Sequence, residues 1–422
     1  MIEDCWRIVG REPLHGVVCP SGSKNGALPT LAATLLLDGE TVLRNVPRIT
    51  DVATMIALLR GLGLVVEERS DGSVRLVNHG IKSDQVPADL VQRMRASHYL
   101  LAPMVLRLGR AEMPLPGGCQ IGERPIGHIL AVLHSLGVQT GLQEGRIVLE
   151  ASGTKGTTVV LDPQHRNAGA TFTGLMAGAL AEGITTIENA SYEPDVVSFC
   201  AFLKGAGLHV AGVGTPKLTV RGTRSLGGTN HRINPDRLEA GTLVCAAAAT
   251  RGEVTVEGIT RRDLGAFADK VAEAGVELRE EDQGITAGCR GRPQAIQVIT
   301  EPFPGYPTDL QPPLAAVLTT GEGTSRIRES VFGRRLQYVD QLVKMGAEIQ
   351  VVDARNIAIK GVHGLHGAEM EAGNIRDGAA LVTAALSARG ESVVLGRHHL
   401  ARGYEALDDK LRSLGATITP IG

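Results

Sequence analysis

A repeat restricts the possible folds of this chain more than any other feature. Six times an apolar, helix-like segment ends in one or two polar residues and a glycine, then turns into a β-branched run. The six are LAATLLLDGETVL, LLAPMVLRLGRAEM, LMAGALAEGITTI, LVCAAAATRGEVTV, LAAVLTTGEGTSRI and LVTAALSARGESVV, with glycines at Gly39, Gly109, Gly183, Gly252, Gly321 and Gly390. Successive steps are 70, 74, 69, 69 and 69 residues. A second series in the same phase places Gly63, Gly137, Gly207, Gly275, Gly346 and Gly415 in segments such as LLRGLGLVV and KLRSLGATI. Self-similarity at a fixed period marks one supersecondary unit used repeatedly. Each glycine stands where a helix needs a left-handed residue before a strand. A unit of about 70 residues therefore holds two helices, each followed by a strand, with further strand between.

The repeated helices are apolar all round. A run such as Ala246 to Ala249 has no polar face, so these helices must be buried on most sides. An α/β architecture follows, with helices inside and sheets around them. At 422 residues the chain exceeds one ordinary core, and three units per domain in two similar halves is the simplest partition. The polar, glycine-rich Leu226-Gly227-Gly228-Thr229-Asn230-His231 marks the junction, and a matching crossing is expected near Ser21-Gly22. The expected domains are 22–230, and 1–21 with 231–422, with the ligand in the cleft between them.

Composition excludes several classes of function. Hydrophobic content of 43% and charged content of 21% suit a soluble globular protein. A net charge of −2 and 3% aromatic residues argue against a nucleic-acid or anionic-membrane partner. No window reaches the roughly 20 apolar residues of a membrane span, and the start is not that of a signal peptide, so a cytoplasmic location is expected. The six cysteines lie far apart, as neither a disulfide framework nor a zinc knuckle would have them. The histidines show no ligand spacing, and no metal or organic cofactor is called for.

The residues able to do chemistry lie at element boundaries. Pro116-Gly117-Gly118-Cys119-Gln120-Ile121-Gly122-Glu123-Arg124-Pro125 is a loop shaped by turns. A thiol there is unusual, because free cysteine is among the most buried residue types. Arg124 can favour the Cys119 thiolate and grip a phosphate. Lys24 and Asn25, after the small-residue turn Ser21-Gly22-Ser23, can present an ammonium and an amide to an anionic ligand at a helix start. Read alone, Lys24 is also an ordinary solvated lysine. Arg95 opens the second repeated helix, facing either solvent or the cleft. Asp309 begins the fifth, either as a macrodipole-complementing carboxylate or as a general base for a hydroxyl. Arg335, Arg376 and Arg402 stand at boundaries in the second half. With Arg95 and Arg124, these five arginines ask for an acidic ligand bearing phosphate and carboxylate.

The segments SGSKNGALP, MRAS, LPGGCQIGERP, ENASYEP, NPDRLEAGT, YPTDLQ and RGYEALDDKLRSLGA together resemble the enolpyruvyl transferases, most closely the branch that acts on UDP-N-acetylglucosamine. The resemblance covers essentially the whole chain. It implies two inside-out α/β barrel domains that close around phosphoenolpyruvate and a uridine nucleotide sugar. The implied reaction moves the enolpyruvyl group to the sugar 3-hydroxyl with loss of phosphate, the first committed step of peptidoglycan precursor synthesis. Cys119 then matches the loop general acid, which fosfomycin alkylates in the family. Lys24, Arg124 and Arg402 match phosphoenolpyruvate-binding positions. Asn25 and Asp309 match acceptor contacts, with Asp309 the candidate base. Arg95 matches a position near the nucleotide phosphates, and Arg335 and Arg376 match residues of the closing domain.

Three positions depart from the family pattern. Gly127 follows Ile126 where an aspartate is usual beside the uracil. The 163–168 loop is longer and carries Arg166. Asn374 stands where an aspartate is usual near the reacting carbons, and an amide is no anionic base. Two further readings therefore stand beside the first: transfer to another uridine nucleotide hydroxyl, such as that of UMP, and a catalytically silent ligand-binding relative.

Overall fold

Five of the six repeats among the described residues share the same small sheet. In the fifth, Gln297–Ile299 runs parallel to Thr324–Arg328, which pairs antiparallel with Asn356–Lys360, itself antiparallel to Glu348–Asp353. The computed structural model describes residues 4–117 and 126–421, and five of the six sheets among them have this four-stranded form. The exception is the sheet of Arg110–Pro114, Arg146–Glu150 and Gln139–Gln143, whose parallel edge is reduced to a bridge between Gln85 and Glu112.

Contacts divide the described residues into two units, 4–21 with 235–421 and 22–117 with 126–234. In the first unit three helices, Arg237–Thr250, Gln311–Leu318 and Ile375–Ser387, pack on one another. All residues of the first two are buried, as are 12 of the 13 in the third. Their lack of a polar face leaves them no other place, and three sheets cover them. In the second unit Lys24–Ala33, Leu101–Leu108 and Ala168–Ala179 fill the same inner role. No described helix is long and apolar enough to cross a membrane.

Some sheets are completed from far along the chain. Cys5–Val9 is an inner strand of the last repeat's sheet, between Glu391–Leu395 and Thr417–Ile421. His15–Val18 forms the parallel edge beside Glu253–Glu257. Asn230–Arg232 returns to lie parallel to Gly39–Arg44 in the first repeat's sheet.

The glycine series needs one correction. All six glycines of the second series have positive φ, but in the first series Gly252 and Gly321 do not. There the left-handed residues are Arg251 (φ 57) and Gly323 (φ 87). Gly252 is required for space instead, since a Cβ on it would lie 2.0 Å from the Leu14 carbonyl oxygen, where the edge strand arrives.

Gly228 is under the same constraint, its added Cβ falling 1.8 Å from the Glu40 carbonyl oxygen, whereas at Gly227 nothing lies within 4 Å. Gly228→Ala is expected to lower stability by about 2–3 kcal/mol, a fall of about 4–9 °C in thermal midpoint. Gly227→Ala should stay within about 0.5 kcal/mol of the parent. Equal midpoints for the two variants would refute the close-approach argument.

Candidate active site

Asp309 lies in the 3₁₀ turn Thr308–Leu310, which leads into the buried helix Gln311–Leu318. Its Oδ1 accepts a hydrogen bond from Arg335 Nη2, and its Oδ2 accepts one from Arg376 Nε at 3.1 Å. The two guanidinium side chains are 1% and 6% exposed, and the carboxylate 24%. One anion thus faces outward from between two buried cations.

Each cation is fixed by its own local structure. Glu329, fully buried, accepts from Thr300 Oγ1 (2.9 Å), Thr308 Oγ1 (2.8 Å) and the backbone N–H groups of Val331 (2.8 Å) and Phe332 (3.0 Å). These bonds fold the segment that carries Arg335, whose guanidinium lies 5.6 Å from the Phe332 ring centre. Arg376 is the second residue of Ile375–Ser387, a helix capped by Asn374. Asn374 Oδ1 accepts from the backbone N–H groups of Arg376 (3.0 Å) and Asp377 (3.1 Å). Arg376 Nη1 donates to the Tyr404 hydroxyl at 2.8 Å, and that hydroxyl bonds Thr242 Oγ1 at 2.9 Å. Burial works against the Arg376 charge, but the Tyr404 hydroxyl and the Asp309 and Asp236 carboxylates outweigh it, and its pKa is raised. Burial pushes the Tyr404 phenol up as well, so the pair is a cation beside a neutral hydroxyl.

Two further groups complete the helix starts. Asp236 caps Arg237–Thr250 by accepting from Leu238 N (2.8 Å) and Glu239 N (3.1 Å), and Arg237 sits 5.4 Å from the Phe303 ring centre. The bond from Arg376 to Asp309 and the field of Asp236 on Arg376 bring the N-terminal ends of all three buried helices together. Backbone N–H groups and positive helix ends there favour an anion.

In the other unit, Ser23 caps Lys24–Ala33, its Oγ accepting from Gly26 N at 3.2 Å. Lys24 Nζ lies 2.6 Å from Asp51 Oδ2, with side-chain exposures of 13% and 3%. Asn25, next along, is exposed. Arg95, half-buried, opens the 3₁₀ helix Arg95–Leu100, which packs on Lys24–Ala33. A recess of about 110 Å³ is lined by His128, Asp162, His165 and Asn167 among others. The Gln164 backbone N–H and the His165 ring hold Asp162 below the usual carboxylate range.

The sequence matches the family described as EPSP synthase (3-phosphoshikimate 1-carboxyvinyltransferase) over residues 8–411. The chain belongs to the EPSP synthase family. It is 42% identical to UDP-N-acetylglucosamine 1-carboxyvinyltransferase 3 of Symbiobacterium thermophilum, covering 98% of this chain and 97% of that one. It is 43% identical to UDP-N-acetylglucosamine 1-carboxyvinyltransferase 2 of Carboxydothermus hydrogenoformans, over 97% and 98%. The solved enolpyruvyl transferase NikO from Streptomyces tendae superposes with a TM-score of 0.90 at 28% identity, covering 99% of both chains. An EPSP synthase from Acinetobacter baumannii, at 19% identity and a TM-score of 0.75, shares the fold.

Within this EPSP synthase-family chain, Asp309, Arg335 and Arg376 form one hydrogen-bonded group. Lys24 and Asn25 are adjacent on a second helix start. Arg402, half-buried, follows the short helix Arg397–Leu400, and its charge acts on His399. Cys119 and Arg124 lie outside the described residues. Boundary arginines are usually surface charges, yet Arg335 and Arg376 are buried. Lys24 is likewise a paired, mostly buried lysine rather than a solvated one. Asp51, Glu329 and the Tyr404–Thr242 pair escaped the sequence reading. A carboxylate in an otherwise apolar stretch, as in Ile49-Thr50-Asp51-Val52, was the available signal for the first. Among the described residues no group of three or more His, Cys, Asp or Glu could hold a metal ion.

Proposed function

We propose that the protein transfers the enolpyruvyl group of phosphoenolpyruvate to the 3-hydroxyl of UDP-N-acetylglucosamine and releases phosphate, the entry step to peptidoglycan precursors in the cytoplasm. Full-length identity of about 42% to proteins named for that activity carries the reading. The Asp309 group supports it chemically. A carboxylate oriented by two buried guanidiniums accepts the acceptor's hydroxyl proton as its oxygen bonds C2 of the donor. Cys119 delivers a proton to C3, giving a tetrahedral adduct. The Cys119 thiolate then takes a proton back from C3 as phosphate departs, which restores the double bond and the thiol. Lys24, Arg124 and Arg402 bind the donor and stabilise charge on the leaving phosphate. Asn25 contacts the acceptor, Arg95 serves the nucleotide phosphates, and Arg335 and Arg376 orient Asp309.

One observation favours a second acceptor. At Gly127, where the family pattern has an aspartate, a Cβ would meet nothing within 4 Å, and the neighbouring recess is lined by His128, Asp162, His165 and Asn167 among others. The test is phosphate release from phosphoenolpyruvate with UDP-N-acetylglucosamine, with UMP, and with neither. Release with the nucleotide sugar is expected. Release with UMP alone would replace the acceptor, and release with no nucleotide in the panel would leave a silent ligand-binding relative.

A further inference from the structure

The helix Ile375–Ser387 begins with an amide and a carboxyl close together. Asn374 is its cap, and Asp377, its third residue, is 2% exposed. Asp377 Oδ1 has no hydrogen-bond partner among the described residues. A buried oxygen left unsatisfied costs about 1–3 kcal/mol, so packing does not explain this carboxyl.

Its surroundings do. Arg335 is the cation acting on it, and the Asn374 side chain faces it and favours its charged form. The buried Tyr338 phenol feels its charge. Gln337, Gln341, Glu371 and Gly373 share with it a recess of about 250 Å³. Arg335 therefore answers to two carboxyls, Asp309 by a direct bond and Asp377 through its field. Arg335 Nε, like Asp377 Oδ1, is buried without a partner among the described residues.

We propose that Asp377 supplies the negative charge that Asn374 lacks, and that with the Asn374 amide it forms a positioning pair holding Arg335 against Asp309. This rests on the enolpyruvyl-transfer reading. An aspartate at both positions would set two carboxylates against each other; one of each gives the charge without the repulsion. Burial raises the Asp377 carboxyl to about 6, with Arg335 and Asn374 pulling the other way. The facing titratable groups are thus Arg335, Tyr338 and Glu371. As pH falls through about 6, Asp377 loses its charge and Arg335 keeps only Asp309.

The test uses Asp377→Asn, Asp377→Glu, Asn374→Asp and the exchange Asn374→Asp/Asp377→Asn in the full chain. Asp377→Asn should lower kcat about thirtyfold, with the phosphoenolpyruvate KM within about threefold, and should remove an acid limb near pH 6 from kcat/KM. Asp377→Glu should recover part of the rate, and the exchange should return to within about threefold of wild type although Asn374→Asp alone falls more than tenfold. Circular dichroism and thermal midpoints check that each variant folds. Wild-type kcat and an unchanged acid limb in Asp377→Asn, or an exchange no better than the product of its single changes, would overturn the proposal. A wild type that releases no phosphate with any acceptor in the panel counts against the functional reading instead. The cycle of wild type, the two single changes and the exchange is then read in thermal midpoints, where additivity sinks the pairing.

Discussion

Asp309→Asn is expected to lower kcat about a thousandfold, within the range a positioned general base contributes. The amide has the carboxylate's shape and no capacity to take a proton at neutral pH. The same change strips the counter-charge from two guanidiniums that are 1% and 6% exposed. Removing one partner of a buried ion pair costs about 3–5 kcal/mol, so the thermal midpoint should fall by about 6–15 °C. The two effects separate experimentally, because the kinetics can be read well below the lowered midpoint. Glu329→Gln provides the contrast. It disturbs the loop that carries Arg335 and the bond to Thr308 beside Asp309, but keeps the Asp309 carboxylate itself, so it should cost stability and far less rate. If Asp309→Asn keeps turnover within about tenfold, Asp309 is a counter-ion for the two arginines and the base lies elsewhere.

What the sequence disclosed follows how local each signal is. The repeat and the inner helices were legible because a helix with no polar face, such as Arg237–Thr250, declares its burial within its own 14 residues. Cys5–Val9, His15–Val18 and Asn230–Arg232 were not legible as members of their sheets. Strands of 3–5 residues hold no record of partners some two to four hundred positions away. The site divides the same way. Asp309, Arg335 and Arg376 were legible by type and by resemblance, but the bonds joining them span 26 and 67 residues. Lys24 needed Asp51 from another helix to become a buried ion pair. Asp377 reads in the sequence like any first-turn carboxylate complementing a helix dipole; only its burial and its nearness to Arg335 distinguish it.

Fosfomycin is expected to inactivate the protein by alkylating one cysteine, and Cys119→Ala to abolish both that inactivation and most of the turnover. The selectivity has a physical basis in the other thiols. Cys5, Cys200, Cys245 and Cys289 are buried. Burial pushes the Cys200 thiol up to about 12 and the other three upward as well, so none offers thiolate at neutral pH. Cys19 is exposed, and its Sγ lies 3.6 Å from the Pro20 carbonyl oxygen. It is the one described competitor, and Cys19→Ser should leave inactivation unchanged. Peptide mass spectrometry of the treated protein should place the adduct on the peptide containing Pro116 to Pro125. Cys119→Asp should be resistant yet keep turnover within about tenfold of wild type, because a carboxylic acid also delivers a proton to carbon. An adduct on Cys19, or undiminished turnover in Cys119→Ala, would remove the thiol from the mechanism. The proton for C3 would then have to come from another acid.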